Sequence, residues 1–101
     1  IYDISDGRLK ENITALTGAL PKLEQINGVY FNKKGELNHG REVGVIAQDV
    51  EKVLPEAVSE GEDGYKRVDY TKLVPLLIEA VKEQQAQIET LKQEVETLKS
   101  R

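Results

Sequence analysis

The sequence predicts an α+β protein, in which a small mixed domain of short strands and helices is followed by one long C-terminal helix. Two observations lead to this class. Over about the first seventy residues, short β-prone runs alternate with short helical patterns and are separated by glycine, proline and asparagine turn signals. From Val74 onward, a single apolar repeat with helical spacing continues towards the end of the chain. We therefore expect a globular head and a helical stalk.

Two short helices are predicted in the head. The first covers about residues 18–25, with Thr17 as its N-cap. The second covers about residues 49–54, because apolar residues recur there at helical spacing and Pro55 follows. Asp49 is a candidate cap for this second helix.

Four short strands are predicted beside these helices. Residues 29–31 and 42–46 are β-prone runs on either side of a polar turn, which indicates a hairpin with a loose connection. Residues 57–58 and 65–69 flank a second, acidic turn that contains glycine.

The long helix carries a heptad repeat, which is typical of a coiled coil. Its predicted core positions are Val74, Val81, Ile88 and Val95 at a, and Leu77, Gln84, Leu91 and Leu98 at d. β-branched residues at a with leucine at d favour parallel dimers, while a polar core residue costs stability and fixes the register. Additional apolar residues before position 82 indicate that the first turns also pack on the head. Asp69 or Thr71 is the expected helix cap.

The composition limits the ligands that this protein is expected to recognise. Its 101 residues carry a formal net charge of -4, and acidic and basic side chains are mixed along the chain. No basic stripe is available to neutralise phosphates, so we do not expect nucleic acid as a partner. Cysteine is absent, and we expect neither a metal nor a cofactor. No apolar run reaches the ~18 residues of a membrane span, so we expect a soluble domain without a membrane partner.

The opening stretch, residues 5–10 (SDGRLK), places a hydroxyl and an amine five residues apart. Serine becomes a nucleophile at neutral pH only with a base, and lysine can serve once burial has removed its proton. The alternative is structural, because a serine followed by an aspartate is a common helix start. Ser5 would then be an N-cap, and Lys10 would lie in solvent. This stretch alone leaves both interpretations open.

Three blocks of sequence, taken in order, carry a family resemblance. They are residues 5–13 (SDGRLKENI), residues 44–58 (GVIAQDVEKVLPEAV) and residues 68–70 (VDY), and the last leads into the predicted coiled coil. Together they resemble the self-cleaving C-terminal intramolecular chaperone domain of phage endosialidases, tailspikes, neck appendages and tail fibres. A relative of that domain occurs in the eukaryotic myelin regulatory factor.

The resemblance implies a homotrimer that helps an upstream fibre or tailspike of the same polypeptide to fold, and then releases itself by autoproteolysis. Residues 1–4 would be a residual upstream passenger segment, residues 5–69 the chaperone and autoprotease head, and residues 70–101 the coiled-coil stalk. The implied location is the host cytoplasm during phage assembly, with the parent protein in the virion tail.

For the site, the resemblance implies a serine endopeptidase that acts once, in cis, on the bond between Ile4 and Ser5. Ser5 is the implied nucleophile and Lys10 the implied general base. This bond lies within the sequence, between its fourth and fifth residues.

Three further residues are candidate helpers. Gln48 lies at a predicted strand-to-helix turn, where its side chain or nearby amides can stabilise an oxyanion. Asn12 is a candidate donor that follows Lys10. Many members of the family carry a histidine shortly before the Gly-x-Ile-Ala-Gln block, whereas here His39 stands five residues before Gly44.

Physical chemistry links the implied cleavage to assembly. The reference pKa of lysine is about 10.4, so a base at neutral pH requires a decrease of roughly three units, which costs about 4 kcal/mol. A loose monomer does not supply that, whereas burial at a subunit interface does. We therefore predict that Ser5 attacks the carbonyl of Ile4 after assembly, giving an ester that water hydrolyses.

The number of chains and the cleavage itself have alternatives. The heptads favour two chains, and the resemblance implies three. One alternative is a trimerisation and folding module that never cuts. The other is a dimeric coiled-coil adaptor whose head binds a protein partner.

Overall fold

A computed structural model describes residues 2–101. In order along the chain, the regular elements are α1 (Ala19–Glu24), β1 (Val29–Phe31), β2 (Glu42–Gly44), α2 (Ala47–Val53), β3 (Val58–Glu60), β4 (Lys66–Val68) and α3 (Leu73–Lys99). Short 3₁₀ turns lie at Gly7–Leu9, Gly35–Leu37, Pro55–Ala57 and Tyr70–Lys72. Short strands and helices thus precede one helix of 27 residues, which confirms the predicted α+β class.

The four strands form two separate antiparallel hairpins, β1 with β2 and β3 with β4. Their registers align Val29 with Gly44 and Val58 with Val68. The first hairpin confirms the predicted pairing, but β2 ends two residues earlier than predicted. The Val45 amide donates to the Tyr70 hydroxyl at 3.1 Å, and Ile46 is the N-cap of α2. β3 also lies later than predicted, because Ala57 belongs to a 3₁₀ turn.

Both short helices begin at a different residue from the predicted one. The N-cap of α1 is Gly18 rather than Thr17, and its φ of 64° is left-handed, a conformation that glycine adopts without the strain of a Cβ. α2 begins directly after Ile46, so Asp49 lies in its first turn and does not cap it. There the Asp49 carboxylate interacts favourably with the positive end of the helix dipole.

A capped turn leads into α3. Asp69 accepts hydrogen bonds from the Thr71 amide at 3.1 Å and from the Thr71 hydroxyl at 2.6 Å. Asp69 therefore caps the 3₁₀ turn Tyr70–Lys72. The prediction that Asp69 or Thr71 caps the long helix is wrong, because the N-cap of α3 is Lys72, the last residue of that turn. Pro75 lies in the first turn of α3, where an amide hydrogen would have no partner within the helix.

The main buried cluster joins α1 to α3. Ala19 on α1 packs with Leu76 and Ala80 on α3, and all three are at most 1% exposed. The partly buried side chains around them are Leu16, Leu20, Leu23, Ile26 and Leu54. Burial of Leu76 and Ala80 confirms that the first turns of α3 pack on the head, although Ile78 in the same stretch is 54% exposed.

The predicted core positions of the coiled coil are exposed in the single chain. Their apolar side chains range from 45% exposed at Leu77 and Ile88 to 61% at Leu98, and Gln84 is exposed as well. The buried residues Leu76 and Ala80 occupy positions c and g of the same heptads. α1 therefore covers one side of α3 and leaves open the a and d face, which we call the seam.

Among the helices of residues 2–101, none combines the length and the apolar character that crossing a membrane requires. The same residues contain no group of three or more His, Cys, Asp or Glu side chains placed to hold a metal ion.

Candidate functional site

The predicted catalytic pair lies in residues 2–15, which we call the dyad segment. Every residue of this segment is exposed, and its regular structure is the 3₁₀ turn Gly7–Leu9. Asp6 caps this turn by accepting a hydrogen bond from the Arg8 amide at 2.9 Å. The Lys10 amide closes the turn by donating to the Gly7 carbonyl at 3.2 Å. The turn brings together the residues on its two sides.

Ser5 and Lys10 are the residues that meet across this turn. Lys10 Nζ donates a hydrogen bond to Ser5 Oγ at 2.6 Å. A spacing of five residues thus corresponds to direct contact between the hydroxyl and the amine. The alternative interpretation of Ser5 as a helix N-cap is wrong, since the cap is the neighbouring Asp6.

Arg8 engages the carboxylate next to this pair. Its guanidinium donates to both oxygens of Asp6, at 2.8 Å from Nη2 and at 3.2 and 3.3 Å from Nε. These side-chain bonds, together with the bond from the Arg8 amide, hold the pKa of Asp6 below its ordinary value. Both residues are exposed, so the pair contributes little stability. The pair matters for the arrangement of the site. Asp6 is bound by Arg8, and Lys10 forms its hydrogen bond with the neutral hydroxyl of Ser5.

The three candidate helpers are not hydrogen-bonded to the dyad. Asn12 follows the turn and has a left-handed φ of 55°. His39 lies in the loop before β2, and Gln48 lies in the first turn of α2. All three side chains are exposed, and in the described part of the chain none forms a hydrogen bond with Ser5 or Lys10. Their catalytic roles stay predictions.

Sequence reasoning missed Glu83, which lies on α3. Its carboxylate accepts hydrogen bonds from the Ala19 amide at 2.7 Å and from the Leu20 amide at 3.0 Å. These amides belong to the first turn of α1 and are 64 and 63 residues away in sequence. No local pattern could have found this contact.

Sequence reasoning also assigned no role to Tyr70 of the VDY block. Its hydroxyl accepts the hydrogen bond of the Val45 amide and so connects the first hairpin to the turn before α3. A Cβ at Gly44 would collide with the Tyr70 hydroxyl and would lie 3.1 Å from the Phe31 ring. The glycine that opens the GVIAQ block is therefore required by the approach of Tyr70.

These features define a class of protein: a small α+β head with a contacting serine and lysine near its N-terminus, and a stalk helix with an uncovered apolar seam. A family model described as "Chaperone of endosialidase" matches residues 5–59. Because the match covers more than half of the chain, this chain belongs to that family. The family model also carries a peptidase name, and the matched residues include both Ser5 and Lys10. The resemblance inferred from the sequence blocks is thus confirmed.

The curated relatives are long tail fibre proteins of phages. The chain is 40% identical over 98 residues to "Long tail fiber protein Gp37" of Enterobacteria phage K3, covering 90% of this chain and 8% of that protein. It is 41% identical over 100 residues to the protein of the same name from Enterobacteria phage Ox2, covering 91% of this chain and 40% of that protein. The chain therefore spans less than half the length of either relative.

Proposed function

We propose that this chain is the chaperone domain of a phage fibre protein, which assembles through α3 and cuts its own chain between Ile4 and Ser5. The observation that carries the proposal is the 2.6 Å hydrogen bond between Lys10 Nζ and Ser5 Oγ. Membership of the chaperone of endosialidase family supports it. The long tail fibre relatives support an upstream fibre segment as the folding partner and the virion tail as the destination. The host cytoplasm is our proposed place of assembly.

The proposed chemistry is an acyl shift followed by hydrolysis. Neutral Lys10 accepts the proton of Ser5 Oγ as this oxygen attacks the carbonyl carbon of Ile4. The carbon–nitrogen bond then breaks, the proton passes from Lys10 to the departing nitrogen of Ser5, and the acyl group of Ile4 remains as an ester on Ser5 Oγ. Water hydrolyses this ester and returns a proton to Oγ. The products are a carboxylate at Ile4 and a free amine at Ser5.

Assembly supplies the desolvation that this chemistry needs. Ser5 and Lys10 are both exposed in the single chain. A lysine amine in water carries its proton and cannot take the one from serine. Burial against another copy favours the neutral amine, so cleavage follows assembly. Each chain then cleaves once.

The proposed assembly surface is the seam of α3. Seven of its core side chains, from Val74 to Leu98, are apolar and between 45% and 61% exposed. A helix with such a stripe gains stability by supercoiling with copies of itself. Gln84 lies within the seam, where it costs stability and fixes the register. We propose three parallel copies, with residues 5–69 as the head and residues 70–101 as the stalk.

Intact mass spectrometry tests the cleavage. A longer chain with its native upstream segment is expected to yield a product that begins at Ser5, whereas the Ser5→Ala and Lys10→Ala variants remain whole. Ser59→Ala and Lys34→Ala are matched controls at exposed positions of the head and are expected to cleave like the wild type. A wild-type chain that stays whole under every assembly condition contradicts the proposal and favours the folding module that never cuts.

Light scattering on the Ser5→Ala variant tests the assembly separately from the cleavage. The expected mass is three times that of the chain. A stable dimer would contradict the trimer and favour the adaptor.

A further inference from the structure

The position of the dyad depends on how α1 is held. Among the described residues, the hydrogen bonds of the dyad segment all close within residues 5–10. The first hydrogen bonds that tie the following chain to another element are those from Ala19 and Leu20 to Glu83. The intervening segment from Lys10 to Ala15 is exposed. The dyad segment thus leaves the fold just before α1, at Leu16, which packs against the buried cluster.

Glu83 supplies a cap that α1 lacks. The N-cap residue is Gly18, which has no side chain to accept a hydrogen bond. The two oxygens of Glu83 instead accept the amides of Ala19 and Leu20, at 2.7 and 3.0 Å. A carboxylate at this end of a helix also interacts favourably with the helix dipole. Glu83 therefore ties the start of α1 to one point on α3.

That point is level with the middle of the seam. In the heptad repeat, Glu83 occupies position c, between Val81 at a and Gln84 at d. The residues of α3 that contact α1 and the residues of the seam therefore lie on the same turns of one helix. When copies align at Gln84, each Glu83 lies at the same height, and each dyad segment leaves the stalk at that height.

We propose that Glu83 is a positioning residue that couples the assembly of α3 to cleavage between Ile4 and Ser5, an inference that rests on the proposed function. Glu83 does not touch the reacting atoms. It holds the amides of Ala19 and Leu20, so that the dyad segment meets the neighbouring copy in one arrangement. Without it, the apolar contact of α1 with α3 remains, but the start of α1 is free to fray. A misplacement of about 1 Å can slow a reaction by ~100-fold.

The test measures the rate of cleavage per assembled trimer. Chains with the native upstream segment are made by cell-free synthesis, and the cleaved fraction and the trimer fraction are followed together. Glu83→Ala is expected to cleave at least about tenfold more slowly per trimer than the wild type. Glu83→Gln, which retains one carbonyl acceptor, is expected to fall between them. Glu89→Ala is the matched control, because Glu89 is an exposed residue whose partners, Gln85 at 2.8 Å and Lys92 at 3.7 Å, both lie on α3 itself.

A second measurement separates positioning from folding. Amide hydrogen exchange at Ala19 and Leu20 is expected to be faster in Glu83→Ala than in Glu89→Ala, with the trimer mass unchanged. A residue needed only for folding would lower the trimer fraction and leave the rate per trimer at the wild-type value. If Glu83→Ala does not assemble, Glu83→Gln decides between the two roles.

The possible failures are distinguishable. The positioning role is overturned if the Glu83→Ala trimer cleaves at the wild-type rate, and the proposed cleavage then still stands. If Glu83→Ala does not assemble, the Glu83→Gln trimer is judged in the same way. A wild-type trimer that does not cleave overturns the proposed cleavage, and the coupling with it.

Discussion

The two halves of α3 differ in how far their apolar side chains are buried. In residues 73–83, Leu76 and Ala80 are buried against α1 of the same chain. In residues 84–99, every side chain is exposed, including the four apolar residues of the seam there, namely Ile88, Leu91, Val95 and Leu98. The first half is thus stabilised by its own chain, whereas the second half has no covering element in residues 2–101.

This difference separates folding from assembly within one helix. A helix of about 15 residues without tertiary contacts is marginal in water. We therefore expect the second half to gain stability with protein concentration, while the contact of the first half with α1 does not depend on concentration. The dyad segment departs from the folded head near the place where the two halves of α3 join, beside Glu83.

The largest effect is expected from a charge in the seam of the second half. Leu91→Asp would place one carboxylate per chain in the core of the coil, at a cost of several kcal/mol, because a buried charge without a partner is strongly unfavourable. We expect this variant to be monomeric by light scattering. Gln93→Asp, at the outer position f, is the control and should assemble normally. If Leu91→Asp assembles like the wild type, the seam is not the assembly surface.

A cavity in the first half is expected to have the next largest effect. Leu76 is fully buried, and its replacement by alanine should lower the free energy of unfolding by about 2–5 kcal/mol. The measurement is urea unfolding in the monomeric Leu91→Asp background, where assembly does not contribute. Leu77→Ala is the control, because Leu77 is 45% exposed in the single chain. Equal losses from both variants would contradict the division of α3 into a side that packs on the head and a seam.

A smaller effect is expected at the boundary between head and stalk. Tyr70→Phe removes the acceptor of the Val45 amide, and a hydrogen bond of this kind contributes about 1 kcal/mol. Urea unfolding in the same monomeric background measures the loss. Tyr65→Phe is the control, because Tyr65 is 74% exposed and its hydroxyl forms no hydrogen bond in the described residues. No difference between the two variants would show that the first hairpin is held to the stalk by other contacts.

Local patterns were sufficient to predict several of these features. The α+β class and the first hairpin follow from residues within a short distance along the chain, whereas the pairing of Ser5 with Lys10 was implied by the family resemblance. Adjacent candidates were harder to separate. Ser5 and Asp6 are both good cap residues, and the structure uses Asp6 because Arg8 supplies donors from both its amide and its guanidinium.

Contacts between distant segments could not be predicted. The repeat shows that α3 has a seam, but it does not show that α1 would bury positions c and g on another side of the helix. The sequence predicts that Glu83 is an ordinary exposed residue of a charged helix. Only the structure shows that the start of α1 lies beside it. Tyr70 and Gly44 likewise acquire their roles only when the hairpin is packed against the turn before α3.

The smallest effect concerns the acid dependence of the entry into α3. The pKa of Asp69 is lowered from its ordinary value, first by the hydrogen bond from the Thr71 side chain. A carboxylate with a lowered folded pKa stabilises the fold above its unfolded pKa, near 3.9, and this contribution is lost as the pH falls through the folded pKa. The urea midpoint of the monomeric background should therefore fall on acidification below about pH 4. Asp69→Asn, which keeps an acceptor but does not titrate, should lose less.

The contribution of Asp69 can be assigned with a second variant. Thr71→Val removes the hydroxyl that lowers the pKa of Asp69 and leaves the amide of residue 71 in place. The folded pKa should then lie closer to the unfolded pKa, so the acid-dependent part of the stability should shrink. An acid dependence that is the same in the wild type, Asp69→Asn and Thr71→Val would mean that other carboxylates dominate it. The start of the first half of α3 would then be secured by its apolar contact with α1 and not by the capped turn that precedes it.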